Sequence, residues 1–333
     1  MDETHIGEHF MPSAAYVSRR LLQAIPLILG VIVFNFLLIH VAPGDPIAYL
    51  AGEFRADPSY IEMMRRRFGL DRPLYQQLII YVLQILQGDF GYSLYHERPV
   101  LELVVQRIPN TVLLMVPQLL IASSLGVYLG IKAAAKVNSK TDNAVRILSV
   151  LGYSIPVFWL AQILMLTFAI QLGILPTSGM TSLRTDLTGL SYVSDVLAHM
   201  VLPLAALVVF QLPLVARLSR TSMLEALSRE FILTAKSKGL EKTRIIYRHA
   251  LPNALLPVIT TIGMNVGYIL AGAVLTETVF AWPGLGRLMF DSILIRDYPV
   301  IMALLVITTI LVVLSNIVTD LLYSIIDPRV TYE

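Results

Sequence analysis

Six stretches of this 333-residue chain are each long enough to cross a bilayer and hold no Asp, Glu, Lys or Arg: 21–42, 108–131, 147–172, 196–216, 250–276 and 298–319. A spanning helix needs about 20 mostly apolar residues. Backbone in hydrocarbon must satisfy its own hydrogen bonds, which leaves helices and closed barrels. The third stretch stays uncharged to Leu183, but Gly173 and Pro176 end its helix near Leu172, and Pro156 predicts a kink inside it. The expectation is an all-α membrane protein with six transmembrane helices. Only 14% of the residues are charged and mean hydropathy is +0.71. A soluble domain carries roughly 25% charge, so lipid must cover part of this surface. A net charge of +2 gives no footprint for nucleic acid. With no cysteine, a disulfide framework, a thiolate nucleophile and cysteine-held metal are all excluded.

Six crossings put both termini on one side, and basic residues choose which. Segments 1–20, 132–146, 217–249 and 320–333 hold fifteen of the 25 Lys and Arg, including all six lysines. They are therefore assigned to the cytoplasm with both termini. The outer segment 43–107 is the only sizeable polar part, with helices expected over Pro58–Phe68 and Pro73–Gln87. Its Leu74–Gly88 stretch is too short to span and holds four glutamines, which suits an amphipathic helix outside the bilayer or on its surface. Arg65, Arg66 and Arg67 are read as a solvated face or as a contact with headgroups or a binding protein. Arg19 and Arg20 precede an apolar run too long for a cleavable signal, so the first helix is expected to be retained. Asp2, Glu3 and Glu8 are unusual beside such a flank, which makes Met11 an alternative start. The chain divides into an N-terminal segment, 1–107, and a five-helix core, 108–333, which contains the 217–249 loop.

No source of energy is visible. The chain has no GxxxxGK[ST] phosphate loop. Its spans offer no carboxylate or amine for a proton relay, and His40 and His199 sit near span ends. Transport is therefore either passive or driven by a partner.

The 217–249 loop is shaped for a partner. Ser222 and Glu225 have capping-box spacing, which predicts a helix start. Gly239 suits a left-handed C-cap, with Lys236 and Lys238 at the negative helix end. Leu224, Leu227, Phe231 and Ala235 recur every three or four residues as one apolar stripe. Pro252 fits the first turn of the following helix. Such a stripe needs a groove on a partner, the bilayer surface or the protein's own helix ends.

The loop resembles the cytoplasmic EAA loop of ABC importer permeases. Leu233, Thr234 and Ala235 stand at the EAA positions, Gly239 at the glycine, His249 at an isoleucine, and Leu251 with Pro252 at the closing pair. Thr234–Leu240 is similar to the peptide-importer form. Other segments resemble the same branch: Pro43–Pro46, Gly88–Ser93, Arg107–Thr111, Leu175–Gly179, Leu275–Gly286, Arg296–Pro299 and Asp327–Arg329. Only the first ten or so residues lie outside the likeness.

The resemblance implies the type I importer permease architecture. It also implies a second homologous permease, two cytoplasmic ATPases that bind ATP and Mg, a periplasmic substrate-binding protein and a peptide substrate. The chain itself would hold no cofactor and carry out no catalysis. Its coupling segment would be Glu225–Lys242, with Phe231 and Ala235 at the contact face and Gly239 as its turn. Glu225, Phe231, Thr234, Ala235, Lys238, Gly239, Leu251 and Pro252 are the candidate coupling residues.

Asn35, Gln118, Gln162, Gln211, Asn265 and Asn316 are polar positions within spans, candidates to line a pathway or to bond neighbouring helices. Gly126 with Gly130, and Gly263 with Gly267 and Ala271, are small-residue stripes for packing within the chain or against a second permease. Nickel and glutathione permeases share these motifs, so cargo stays open. An intramembrane hydrolase would need a matched serine and histidine. Ser123, Ser124, Ser154 and Ser315 are present without a GxSxG frame. A passive channel would not need the capped loop helix.

Overall fold

The computed structural model describes residues 14–41, 71–93, 95–182, 187–271 and 273–326. The motifs at 43–46 and 327–329, the helix expected over 58–68, Arg65–Arg67 and Met11 lie outside the described residues.

The described chain is almost wholly helical. Helix α1 (Ala14–Val41) holds the first charge-free stretch. After α2 (Leu74–Leu86), a two-stranded antiparallel ribbon pairs β1 (Tyr92–Ser93) with β2 (Arg98–Pro99). Then come α3 (Val100–Ala135), α4 (Lys140–Ser154) and α5, which is α-helical over Val157–Leu164 and a π-helix over Met165–Gln171. Helix α6 (Leu190–Leu227) is followed by short α7 (Glu230–Ser237). Helix α8 runs from Lys242–Arg244 through a π segment, Ile245–Ala250, into Leu251–Ala271. Helices α9 (Val274–Val279), α10 (Leu285–Leu294) and α11 (Tyr298–Ile326) complete the order.

Among the described residues, α3, α6 and Tyr298–Ile317 of α11 are long and apolar enough to cross a membrane. The third stretch differs from expectation. Its two halves, α4 and α5, meet at a 102° bend, far sharper than the expected kink. Pro156 is the cause. It cannot donate to a helix ladder, and its ring holds Ile155 extended (φ −98°, ψ 116°), so α5 starts afresh behind it.

Helix α2 answers to its sequence. Its Ile85 packs with Ile32 of α1 and Val306 of α11, while Tyr75, Ile79, Leu83 and Leu86 form an exposed apolar stripe. Its Gln77 Oε1 meets His40 Nε2 of α1 at 3.1 Å.

The main seam is α3 against α6. A Cβ on Gly126 would stand 2.7 Å from the Cβ of Val215, and one on Gly130 would stand 2.5 Å from that of Ser219. Both glycines are buried. Their spacing thus serves close contact within this chain. Gly263 is partly exposed on α8, whereas the surroundings of Asn265, Gly267 and Ala271 lie outside the described residues.

Several of the scattered motifs close on one another. Glu277 of α9 is wholly buried, and its carboxyl accepts from Thr111 Oγ1 and from the Arg287 N–H, each at 3.0 Å. Thr111 Oγ1 also accepts from the Leu285 N–H at 2.8 Å. Trp282 Nε1 donates to the Asn110 carbonyl, and Asn110 Nδ2 donates to the Pro283 carbonyl, both at 2.9 Å. The segment 107–111 is thereby tied to 275–286. In the same way Ser93 Oγ donates to the buried Asp297 carboxylate at 2.5 Å, joining segments 88–93 and 296–299.

At the other end of the bundle, Ser139 caps α4 by accepting from the Asp142 N–H. Asp142 is fully buried. It accepts from Nε and Nη2 of Arg220 on α6 and from the Asn138 N–H at 2.8 Å. The Arg220 hydrogen bond holds this carboxyl below the usual carboxylate range. The resulting stability is present above the unfolded carboxyl pKa and fades only as pH falls through the lower folded value, so it is intact at neutral pH. Asp142→Asn is expected to cost about 3 kcal/mol, because it strands a mostly buried guanidinium. Thermal denaturation of the purified chain checks this. Adding Arg220→Gln should recover part of the loss.

Candidate functional site

The segment between α6 and α8 is built on a small core of its own. Ile232 and Ala235 of α7 are buried against Ile131, Met223, Ile245 and Ala250, drawn from α3, α6 and α8. Helix α7 is short because both ends are closed. At its start Arg229 is extended (φ −73°, ψ 153°), with Ser228 as the turn closing α6. At its end Gly239 adopts φ +72°. The Gly239 N–H reaches the Lys236 carbonyl at 2.9 Å, and the Leu240 N–H reaches the Ala235 carbonyl at 3.3 Å, the two bonds of a Schellman cap. The expected C-cap is therefore present. A Cβ at Gly239 would meet nothing within 4 Å, so substitution there strains only the backbone. Gly239→Ala should cost about 1–2 kcal/mol, read as faster hydrogen exchange confined to residues 230–240.

The expected helix start at Ser222 is not found. Ser222 and Glu225 lie within the last turns of α6, which runs on to Leu227. Packing decides this: Met223 and Ala226 are buried in the same core, and that burial carries the helix past a local stop signal. Glu225 pairs with Arg229 at 2.7 Å, with both side chains more than 60% exposed, a pair worth little.

The break at Ser228–Arg229 also divides the predicted stripe. Leu224 and Leu227 pack on the core from α6. Ala235 faces that core and is 5% exposed, whereas Phe231 is 40% exposed and Leu233 is 62% exposed. Ala235 is thus a footing of α7, and the outward face is Phe231, Leu233 and Thr234, bordered by exposed Lys236 and Lys238. Ile232, which the sequence reading passed over, is the largest buried anchor of α7; its i,i+3 spacing to Ala235 is the signal that marks it. Beside α7, Ala135, Leu227, Lys236, Leu240 and Ile246 line a cleft of about 450 Å³.

Leu251 packs on the same core, and Pro252 is exposed. Pro252 does not open a helix. Residues 242–271 are continuous, and the π segment Ile245–Ala250 lies just before it. A proline removes one donor and crowds the carbonyl four residues back. Widening the ladder there accommodates both effects without breaking the helix.

The candidate pathway residues do not share one environment. Asn35 and Gln118 are buried, and Asn35 Nδ2 has no partner among the described residues. Gln211 is partly buried, while Gln162 and Asn316 are exposed.

Residues 126–332 match the family of binding-protein-dependent transport system inner membrane components, and residues 14–115 match the N-terminal region of such membrane components. The chain is similar to the oligopeptide transport system permease protein AppB of Bacillus subtilis, 38% identical over 96% of this chain and 100% of that one. It is 39% identical to the di/tripeptide transport system permease protein DppB of Pseudomonas aeruginosa, over 96% of this chain and 99% of that one. Its fold is like that of a chain in inward-facing crystals of the MetNI methionine ABC transporter. The TM-score is 0.52 at 17% identity, covering 68% of this chain and 96% of the other.

Proposed function

The chain belongs to the family of binding-protein-dependent transport system inner membrane components, and on that premise we propose that it is the permease subunit of an ATP-driven importer of dipeptides or oligopeptides. The observation that carries the cargo is the likeness, over nearly the whole length, to permeases named for peptides. Six crossings follow if α1, α3, the bent pair α4–α5, α6, α8 and α11 each traverse the bilayer, with both termini cytoplasmic. The architecture is then that of a type I importer.

In this arrangement the chain forms half of a pathway completed by a second permease. Two ATPase subunits bind ATP and Mg on the cytoplasmic side, and a periplasmic binding protein presents the peptide outside. Helix α7 is the lever. Its inner face, Ile232 and Ala235, grips the ends of α3, α6 and α8, and its outer face, Phe231, Leu233 and Thr234, meets an ATPase groove. Motion of the ATPase passes directly into three long helices because α7 shares one packed core with them.

Reconstitution tests this. Vesicles holding the chain with the permease, ATPases and binding protein of its own system should take up a labelled dipeptide only with ATP and binding protein. Uptake of nickel in place of peptide would overturn the cargo. Solute flux through the isolated chain would overturn the importer.

A further inference from the structure

The seam between α4 and α6 opens into a groove of about 610 Å³ that lies apart from α7. Arg146 of α4 and Arg217 and Arg220 of α6 line it, with Val150 and Ser154 continuing it along α4. Asp142 neutralises Arg220. Arg146 is instead bonded to a neutral group, the Asn143 Oδ1. A guanidinium has five N–H donors, so that bond leaves Arg146 its charge and most of its donors. Arg217 adds an exposed cation one turn before Arg220. The hydroxyls of Ser149, Ser154 and Thr221 donate to carbonyls of their own helices. The guanidiniums are thus the groove's donors, and their chemistry selects phosphate or carboxylate.

The flank of the groove narrows that choice. Ile147, Val150 and Leu151 of α4 are 59%, 68% and 50% exposed, and they belong to a charge-free stretch. Cations at a span's edge beside a bare apolar helix face match an amphiphile, with an anionic head and a hydrocarbon tail. Basic pockets between helices on the cytoplasmic side take anionic headgroups. We infer that this groove binds the phosphate of an anionic phospholipid of the cytoplasmic leaflet, with an acyl chain against Ile147, Val150 and Leu151. The leaflet assignment rests on the orientation given above.

The test uses the purified full chain in detergent, titrated with phosphatidylglycerol or phosphatidylcholine and read by native mass spectrometry. Arg146→Gln with Arg217→Gln should weaken phosphatidylglycerol retention about thirtyfold and leave phosphatidylcholine unchanged. Both variants leave the Asp142–Arg220 hydrogen bonds themselves in place. Should the double variant melt early, Arg146→Gln alone should still weaken retention about fivefold. Replacing both arginines by lysine should keep most of the binding. Unchanged retention in the glutamine variants overturns the site. Displacement of the lipid by dialanine also overturns it and reassigns the arginines to a peptide carboxylate. The orientation is tested apart from this, because the chain has no native cysteine to interfere. Ser139→Cys should be labelled only from the cytoplasmic face. Labelling from outside would refute the orientation while the lipid count still judges the groove.

Discussion

With glutamate at both Phe231 and Leu233, the chain is expected to insert and fold normally, yet to lose its ATPase subunits on purification and to transport nothing. The two side chains are 40% and 62% exposed and make no part of the core beneath α7. Surface substitutions of this kind usually shift stability by no more than about 0.5 kcal/mol. In an interface the balance reverses. An apolar anchor seated in a partner groove is worth about 2 kcal/mol or more, roughly thirtyfold in affinity for each residue. A carboxylate desolvated in the same groove adds a further penalty. Ala235→Glu is a poorer probe, because that residue is buried among Ile131, Met223 and Ile245, and a charge there would dismantle the core itself. Co-purification with the ATPases is the measurement. Full retention of those subunits by the double variant, with uptake intact, would remove α7 from the coupling path.

Glu277→Ala should destabilise the opposite end of the bundle by at least about 3 kcal/mol. The Glu277 carboxyl is the shared acceptor for the Thr111 hydroxyl and the Arg287 N–H, and it is wholly buried. Leaving a buried donor without its acceptor costs about 1–3 kcal/mol each, more than forming the bond contributed. Gly284→Ala should be comparably harmful, since a Cβ there would overlap the Glu277 carboxyl, and one at Gly286 would stand 2.7 Å from the Val274 Cα. The glycines are small because the glutamate occupies the space. Glu277→Gln keeps the shape but only one of the two acceptor oxygens that Thr111 and Arg287 use, so it should lose less than the alanine variant and more than nothing. Thermal melting of the purified chain measures all three. An alanine variant as stable as wild type would show that the ties between 107–111 and 275–286 do not hold this end together.

These two sites were legible to different degrees. The loop helix announced itself through Gly239, whose positive φ no other residue type adopts so cheaply, and through an apolar repeat with no span to serve. Which residues faced in and which out was not legible. Phe231 and Ala235 are four apart and read as one face, but α7 meets its core through Ile232 and Ala235, leaving Phe231 at the margin. The capping signal at Ser222 failed because burial of Met223 and Ala226 outweighed it. Glu277 and Thr111 each stood in a segment that resembles the family, but nothing in either local sequence shows that they bond to one another across the fold.

The sequence alone determined that this chain is helical and membrane-embedded, because long runs without charge cannot stay in water and cannot leave backbone groups unpaired in lipid. It determined the family too, through short motifs kept in order from end to end. Tertiary structure decided what those motifs do. Close packing assigned Gly126 and Gly130 to the α3–α6 seam, a bend behind Pro156 replaced a kink, and distant segments closed into hydrogen-bonded knots. Contacts between residues far apart along the chain have no signature in local composition, since each partner alone looks like an ordinary loop residue until the fold brings the other to it.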